Sequence, residues 1–326
     1  MRSPRRDWLG AILASLPLAL GAIGLLLHLT VRDRVYILSP LFYGLAPAVL
    51  VVIFALSLVL CLRLRRKRRA ILSLIAVVIA LALWIHTDYV RGKPHEGNAV
   101  GRPMRLVMWN LARPSGRDER FLSTLQDSNA DILVLVESGR ASERRRRFWQ
   151  THFSDYHVAL LERDITVLSR YPIVDTAVHV IGRYTRIAVC DLEAPFAAMS
   201  VLAVDIDSNV FISRKPAIDR IYEIARSKPG PVAILGDFNT PHTSAFFADL
   251  YSSFQHAFQQ SGDGWITTWP TFCPALTLDH IWLSDDFVVA RTVTRRQACS
   301  DHVLVMTDVL LPDPQNEPDR AEVSAL

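Results

Sequence analysis

"PVAILGDFNTPHTSAFFADL", residues 231–250, decides how the whole chain is read. Pro231 to Leu235 make an apolar run of strand character, and Gly236, Asp237, Phe238 and Asn239 follow at once. Strand side chains alternate between faces, so Asp237 and Asn239 point the same way if the extended geometry persists. Two polar groups on one side of a strand end make either a helix-capping turn or half of a site. The choice depends on what else the chain sends there.

Other apolar runs also end on polar groups. "RLVMWN" ends on Asn110 and "DILVLVE" on Glu137. "LTLDHIWLS" carries Asp279 within a strand, and "ACSDHVLVM" puts Asp301 and His302 at a strand start. A single strand-end carboxylate is usually a cap or turn residue, so the argument for a site lies in their number. Open α/β sheets place ligands at strand ends. Carboxylates gathered near one point repel and raise one another's pKa, which a divalent cation relieves. Oxygen donors without cysteine favour Mg²⁺ or Mn²⁺ over Zn²⁺.

Between these runs, strand and helix patterns alternate. "MRLVMWN" (104–110), "DILVLVE" (131–137), "DITVLSRYPI", "TRIAVCDLE" and "MSVLAVDI" read as strands. "ERFLSTLQDSN", "SERRRRFWQTHF" and "SRKPAIDRIYEIARS" read as helices, with a short one from about Thr243. "TLDHIWLS" and "DHVLVMTDVLL" close the pattern, which predicts a layered α/β sandwich over 104–311. Residues 87–103 read as a linker. The polar, Pro-containing tail at 312–326 reads as disordered.

The first third differs in kind. Of 326 residues half are apolar, and the excess sits at the front. Apolar stretches at about 9–29, 36–62 (broken by Pro40 and Pro47) and 70–86 predict three transmembrane helices forming an anchor over 1–86. A signal peptide is the rival for the first, but its apolar region should be only about 7–15 residues and no clear cleavage site follows. Arg2, Arg5 and Arg6 precede the first stretch, and "RLRRKRR" at 63–69 separates the second from the third. Positive loops stay cytoplasmic. The N-terminus is therefore expected in the cytoplasm and the C-terminal part outside it, in the periplasm if the cell is Gram-negative.

Residues 1–100 hold thirteen Lys/Arg against four Asp/Glu, which leaves 23 basic and 28 acidic residues in 101–326, a net charge of −5. The C-terminal part is thus not a general polyanion binder. The local exception is "ERRRRF", where Arg144 to Arg147 form either a solvated helix face or a contact for phosphates or anionic headgroups. Cys190, Cys273 and Cys299 show no C-x-x-C spacing, so no zinc site is implied. One disulfide, Cys273 with Cys299, would suit an extracytoplasmic domain.

Taken in order, "WN" with Asn110, "LVE" with Glu137, "LSRYPI" (168–173), "GDFNTP" (236–241), "TWP" (268–270), "LDHIWLS" (278–284) and "SDHVLV" (300–305) resemble the endonuclease/exonuclease/phosphatase superfamily. That superfamily includes deoxyribonuclease-like nucleases, abasic-site endonucleases, inositol-polyphosphate phosphatases and sphingomyelinases. The resemblance covers roughly 104–311 and implies a four-layer α/β sandwich of two packed mixed sheets. It also implies an Mg²⁺- or Mn²⁺-dependent phosphodiesterase. By resemblance Glu137 is the principal metal ligand with Asn110 beside it, and Asp237 orients or deprotonates the attacking water. Asn239 holds a phosphate oxygen or that water, His302 sits at the scissile phosphate, Asp279 orients His302, and Asp301 is a further acid near the metal.

Two positions depart from the family pattern. Asp205, with Asp207 close by, stands where a phosphate-holding histidine is usual, and Ala112 stands where some nucleases carry an acid. An aspartate repels a phosphate unless a second cation binds. His242 is a nearby alternative for substrate contact. The expected function is a membrane-anchored phosphodiester hydrolase acting on nucleic acid or phospholipid headgroups. The alternative is a non-catalytic or weakly active binding domain on the same fold, motivated by Asp205. The bilayer is the only partner implied besides substrate; no protein partner is implied.

Overall fold

The computed structural model describes residues 4–93, 101–114, 120–194 and 197–311; the tail expected at 312–326 lies outside them. The chain divides into two units. One comprises residues 1–89 with 209–213 and 243–245, and the other comprises the remainder.

The first unit carries α1 (Pro4–Leu29), α2 (Ser39–Gly44), α3 (Pro47–Arg63) and α4 (Lys67–Asp88). α1 and α4 are each long and apolar enough to cross a membrane. The expected second span is broken. Tyr36–Gly44 and Pro47–Arg63 meet at a 61° bend, so the helices long and apolar enough to span number two, or three if the bent pair counts as one. The cause is Pro47: it cannot donate a backbone hydrogen bond and it drives the preceding Ala46 to extended angles (φ −49, ψ 152). Leu13, Leu16, Leu26, Val52, Ile71 and Val78 are exposed, which suits a lipid environment. Ser57 Oγ and Ser73 Oγ pair at 2.9 Å between α3 and α4, the kind of polar contact that holds apolar helices together.

Strand β1 (Tyr89–Arg91) pairs with β11 (Asp263–Trp265), so part of the expected linker is strand. The first sheet of the second unit runs β13-β14-β2-β3-β5-β4. These strands are β2 (Arg102–Asn110), β3 (Ile132–Val136), β4 (His157–Leu161), β5 (Ile165–Ser169), β13 (Val288–Arg295) and β14 (Leu304–Leu311). The second sheet runs β10-β12-β9-β8-β7-β6. It comprises β6 (Ile173–Ile181), β7 (Thr185–Glu193), β8 (Ala198–Asp205), β9 (Val232–Asp237), β10 (Gln255–His256) and β12 (Asp279–Leu283). Both sheets are mixed, because β2–β3 and β8–β9 are parallel and the other pairs antiparallel. Helices α5 (Arg120–Asp127), α6 (Glu143–His152), α7 (Lys215–Ser227), α8 (Ala248–Ser253) and α9 (Ala257–Ser261) complete the unit.

Alternation decides the layering. In β9 every residue is buried, with Ala233 and Leu235 facing the core between the sheets and Val232 and Ile234 facing α7. In α7 the buried residues Ala217, Ile218, Ile221, Ile224 and Ala225 recur at helical spacing and cover that outer face. In β2, Leu106 and Met108 join the central core while Val107 and Trp109 face Phe121, Leu125 and Trp149 of α5 and α6. The outcome is a four-layer helix–sheet–sheet–helix sandwich. All four cysteines are free, so the Cys273–Cys299 pairing is not formed.

Candidate active site

Sheet register assembles the site. Asp205 of β8 is the partner of Asp237 of β9, and Asp237 is the partner of Asp279 of β12. Register partners share a face and neighbouring strands lie about 4.8 Å apart, so three carboxylates stand abreast at one sheet end. The approach of β8 to β9 needs Gly236: a Cβ there would lie 2.0 Å from the Val204 carbonyl oxygen.

The expected continuation of extended backbone to Asn239 fails. Asn239 has φ +46, and its backbone N–H turns back to donate to Asp237 Oδ1 at 2.8 Å. Its side-chain amide donates to the Ile206 carbonyl at 2.8 Å. Asp237 and Asn239 therefore meet through a left-handed turn closed by their own hydrogen bond. Ala112, Arg113, Glu137, Arg163 and Asp164 also have positive φ. Each such non-glycine residue costs about 1–2 kcal/mol, and strain of this kind gathers at functional sites.

His302 comes from the other sheet, in the loop before β14. Its Nδ1 lies 2.8 Å from Asp279 Oδ2 and its Nε2 3.8 Å from Asp237 Oδ2. Three contacts place it: Trp109 Nε1 donates to the His302 carbonyl, Ser300 Oγ accepts the His302 N–H, and the same hydroxyl donates to the Asn110 carbonyl. Thr268 Oγ1 accepts the N–H groups of Leu278 and Asp279 and so fixes the start of β12. Asn110 Nδ2 donates to Asp237 Oδ2 at 2.9 Å while its Oδ1 accepts from Ala112 N.

The electrostatics follow from burial and from acid gathered on acid. Burial pushes the Asp237 carboxyl up to about 7; Asp279 adds to the rise, while His302 and the Asn239 and Asn110 donors oppose it. Burial, then Asp237 and Glu137, hold Asp205 well above the carboxylate range. Glu137 is raised by burial against the pull of Arg113, whose guanidinium donates to it at 2.9 Å. For His302 burial favours the neutral ring, but the charge and hydrogen bond of Asp279, with Asp237, win and raise it to about 10.

Asn110, Asp237, Asp279 and His302 thus form one buried group. Glu137, Asp205 and Asn239 line a neighbouring cavity of about 610 Å³, whose lining also includes Arg113, Arg163 and Tyr184. Asp301 is exposed and accepts a hydrogen bond from Trp269 Nε1 at 3.2 Å. His242 does not line this cavity. It is buried, and its charge acts on the buried pair His256–His280.

A divalent cation fits these donors. Asp237, Asp279 and His302 each bring an atom within 4.8 Å of one another; the two carboxylates can ligate while His302 stands beside them as a cation, and Asp279 Oδ1 is buried without a hydrogen-bond partner among the described residues. Glu137 and Asp205 bring further carboxylate oxygens, and Glu137 helps to raise the Asp205 carboxyl. Such acid-rich oxygen sets suit Mg²⁺ or Mn²⁺.

The order of these residues along the chain decides the kinship: a model of the Endonuclease/Exonuclease/phosphatase family matches residues 109–302, from Trp109 to His302. The chain belongs to the Endonuclease/Exonuclease/phosphatase family. Its fold is similar to the family protein from Bacteroides vulgatus, with a TM-score of 0.53 and 13% identity over 64% of this chain and 99% of that one. Humanized D. rerio TDP2 gives a TM-score of 0.53 at 12% identity, over 64% of this chain and 98% of that one. D. rerio TDP2 complexed with single-strand DNA product gives 0.52 at 11% identity, over 64% and 99%. At such identities the likeness speaks to the fold. No curated protein matches the chain. Membership in the Endonuclease/Exonuclease/phosphatase family implies phosphoesterase-type chemistry, and the family's members typically use divalent metal ions.

Sequence reasoning missed the supporting residues. His256 Nε2 and His280 Nδ1 lie 3.0 Å apart, and His280 Nε2 lies 2.9 Å from the Thr240 carbonyl, so the pair props the turn after Asn239 from behind. A signal existed, since His280 directly follows Asp279 and alternation sends it to the opposite face. Arg113, Arg140, Arg163 and Tyr184 carried no comparable signal, because loops from four places in the chain bring them together.

Proposed function

We propose that the chain is a divalent-metal-dependent phosphodiester hydrolase. The observation that carries this reading is the buried Asp279–His302–Asp237 group beside a polar cavity, with the imidazole held between two carboxylates. Glu137, with Asn110 beside it, is the carboxylate proposed to hold the cation, aided by the acids abreast of Asp237. When bound, the cation neutralises non-bridging phosphate oxygens and counters the repulsion among the acids.

Asp237, raised to about 7, is poised to take a proton from water near neutral pH. The hydrogen bonds from Asn110 and Asn239 fix the carboxylate plane for that task. Asp279 accepts from His302 Nδ1, which leaves Nε2–H directed toward Asp237 and the reacting phosphate. As a cation, His302 stabilises charge developing on phosphoryl oxygens in a site shielded from water. Asp301, exposed and held by Trp269, is assigned an outer role beside His302. The substrate is a nucleic acid or a phospholipid headgroup. We assign the N-terminal helices to a membrane anchor, with the catalytic part extracytoplasmic.

The test is hydrolysis of bis(p-nitrophenyl) phosphate by the full chain in nonionic detergent. Turnover with Mg²⁺ or Mn²⁺, abolished by EDTA and by His302→Ala, is expected. Absence of turnover with either metal would favour the binding-domain reading, for which the charge of Asp205 is the physical motive.

A further inference from the structure

The arginine run at 144–147 is not one solvated face. Arg147 pairs with Glu143 one turn away, and Arg146 donates to the Val158 carbonyl. Arg144 and Arg145 instead line a second cavity of about 260 Å³ together with Arg140, Ser142 and Phe148. Among the described residues no carboxylate lines it. Arg140 also lines the 610 Å³ cavity that holds Glu137, Asp205 and Asn239, so the two cavities share a wall.

Among the described residues Arg140, Arg144 and Arg145 form no ion pair, although the catalytic part is acidic overall. The place of Arg145 is built into the fold. Gly139 has φ +94, a conformation that favours glycine, and the Arg145 guanidinium lies against the loop after Glu137 at the place where a Cβ would project. Arg145 also stacks over Phe148, with the guanidinium carbon 5.5 Å from the ring centre. Arg163 extends the basic wall in the larger cavity, 4.6 Å from the Tyr184 ring centre. Guanidiniums without an ion pair, in a concave lining that shows no carboxylate among the described residues, are matched by phosphate, which they bind through forked hydrogen bonds.

Resting on the phosphodiesterase reading, we propose that Arg140, Arg144 and Arg145 form a subsite for a second phosphate group of the substrate. The preferred substrate is then a phosphodiester that carries a further phosphate, in place of an isolated diester. Asp205 and Asp207 line the larger cavity, so a second phosphate is favoured in the smaller, arginine-lined one. A nucleotide and a phosphorylated inositol headgroup share this chemistry.

Two measurements on the full chain in nonionic detergent test it. The first compares kcat/KM, with Mn²⁺, for thymidine 5′-(p-nitrophenyl phosphate) with and without a 3′-phosphate. The extra phosphate is expected to raise kcat/KM by about tenfold or more, the effect of one charge-assisted hydrogen bond. Arg140→Ala with Arg144→Ala should collapse that ratio toward one, and Arg140→Lys should keep part of it. No preference in the wild type, or equal loss on both probes, overturns the subsite. Short-chain phosphatidylinositol with and without a 4-phosphate supplies the lipid arm, and whichever pair has the larger ratio names the source.

The second measurement needs no catalysis. Calorimetry of inorganic tripolyphosphate in EDTA should give binding that weakens by about tenfold in the double alanine variant. Unchanged affinity, or no binding to the wild type, overturns the subsite. Should tripolyphosphate bind as expected while no diester is hydrolysed, the subsite stands and the hydrolase reading falls.

Discussion

Asp205 and Asp237 are register partners on two parallel strands, and after burial itself it is Asp237 that raises the Asp205 carboxyl most. No described residue donates a hydrogen bond to Asp205. The pair stores repulsion that a cation would relieve. Asp205→Asn is therefore expected to raise the melting temperature in EDTA, by about 2 °C or more, while lowering Mn²⁺ affinity. Differential scanning fluorimetry with and without Mn²⁺ reads both. Lower stability in EDTA with unchanged Mn²⁺ affinity would make Asp205 a structural acid.

The His302–Asp279 contact at 2.8 Å predicts a pH profile. With the histidine raised to about 10, its cationic form persists through neutral pH, so kcat should fall only as pH rises through that value. Asp279→Asn removes the main cause of the rise. The alkaline limb should then move down toward the ordinary histidine range near 6.5, with kcat lowered by about 10²–10³. An alkaline limb that stays in place would mean that another group sets it.

Glu137 leaves β3 with φ +51 and turns its carboxylate to the cavity. Glu137→Gln keeps the shape and removes the charge. Calorimetry should record Mg²⁺ or Mn²⁺ binding weakened by about tenfold or more, with an unchanged far-ultraviolet dichroism spectrum. Unaltered metal affinity would reassign Glu137 to holding Arg113.

The buried His256–His280 pair predicts acid sensitivity. Burial lowers both rings, His280 to about 3 and His256 well below 6.5. In the unfolded chain these histidines take protons first. Their stabilising effect is therefore present above about pH 6.5 and is lost as pH falls from there toward 3. The His280 shift amounts to about 5 kcal/mol at most. Melting temperatures of the full chain between pH 7 and 5 should decline, and His256→Leu should flatten the decline. An equally steep decline in the variant would point to other groups.

Membrane topology rests on the arginine-rich segment at 63–69. Alkaline phosphatase fused after residue 311 should be active, and a reporter that folds only in the cytoplasm should be silent at the same junction. The reverse pattern would place the C-terminal part in the cytoplasm.

The sequence by itself determined the alternation of strands and helices, the apolar front third and most of the acids of the site. Apolar periodicity and strand-end carboxylates are local properties, visible because burial must repeat every two or every 3.6 residues. "VAILGD" reads as a strand buried on both faces before any partner is known. Tertiary structure alone decided which acids meet. The Asp205–Asp237–Asp279 register depends on pairing between strands far apart in the chain, and on Gly236 letting two backbones approach. It also decided that Asn239 reaches Asp237 through a left-handed turn, since a positive φ in a non-glycine residue is paid for by contacts elsewhere and leaves no mark in composition. The break before Pro47 was legible as a proline, but its 61° bend was not, because the angle is set by packing around the interrupted helix. The split of "ERRRR" between a helix-face ion pair and a cavity wall was hidden for the same reason: helical phase gives each arginine a direction, and only the packed loop after Glu137 supplies what that direction meets.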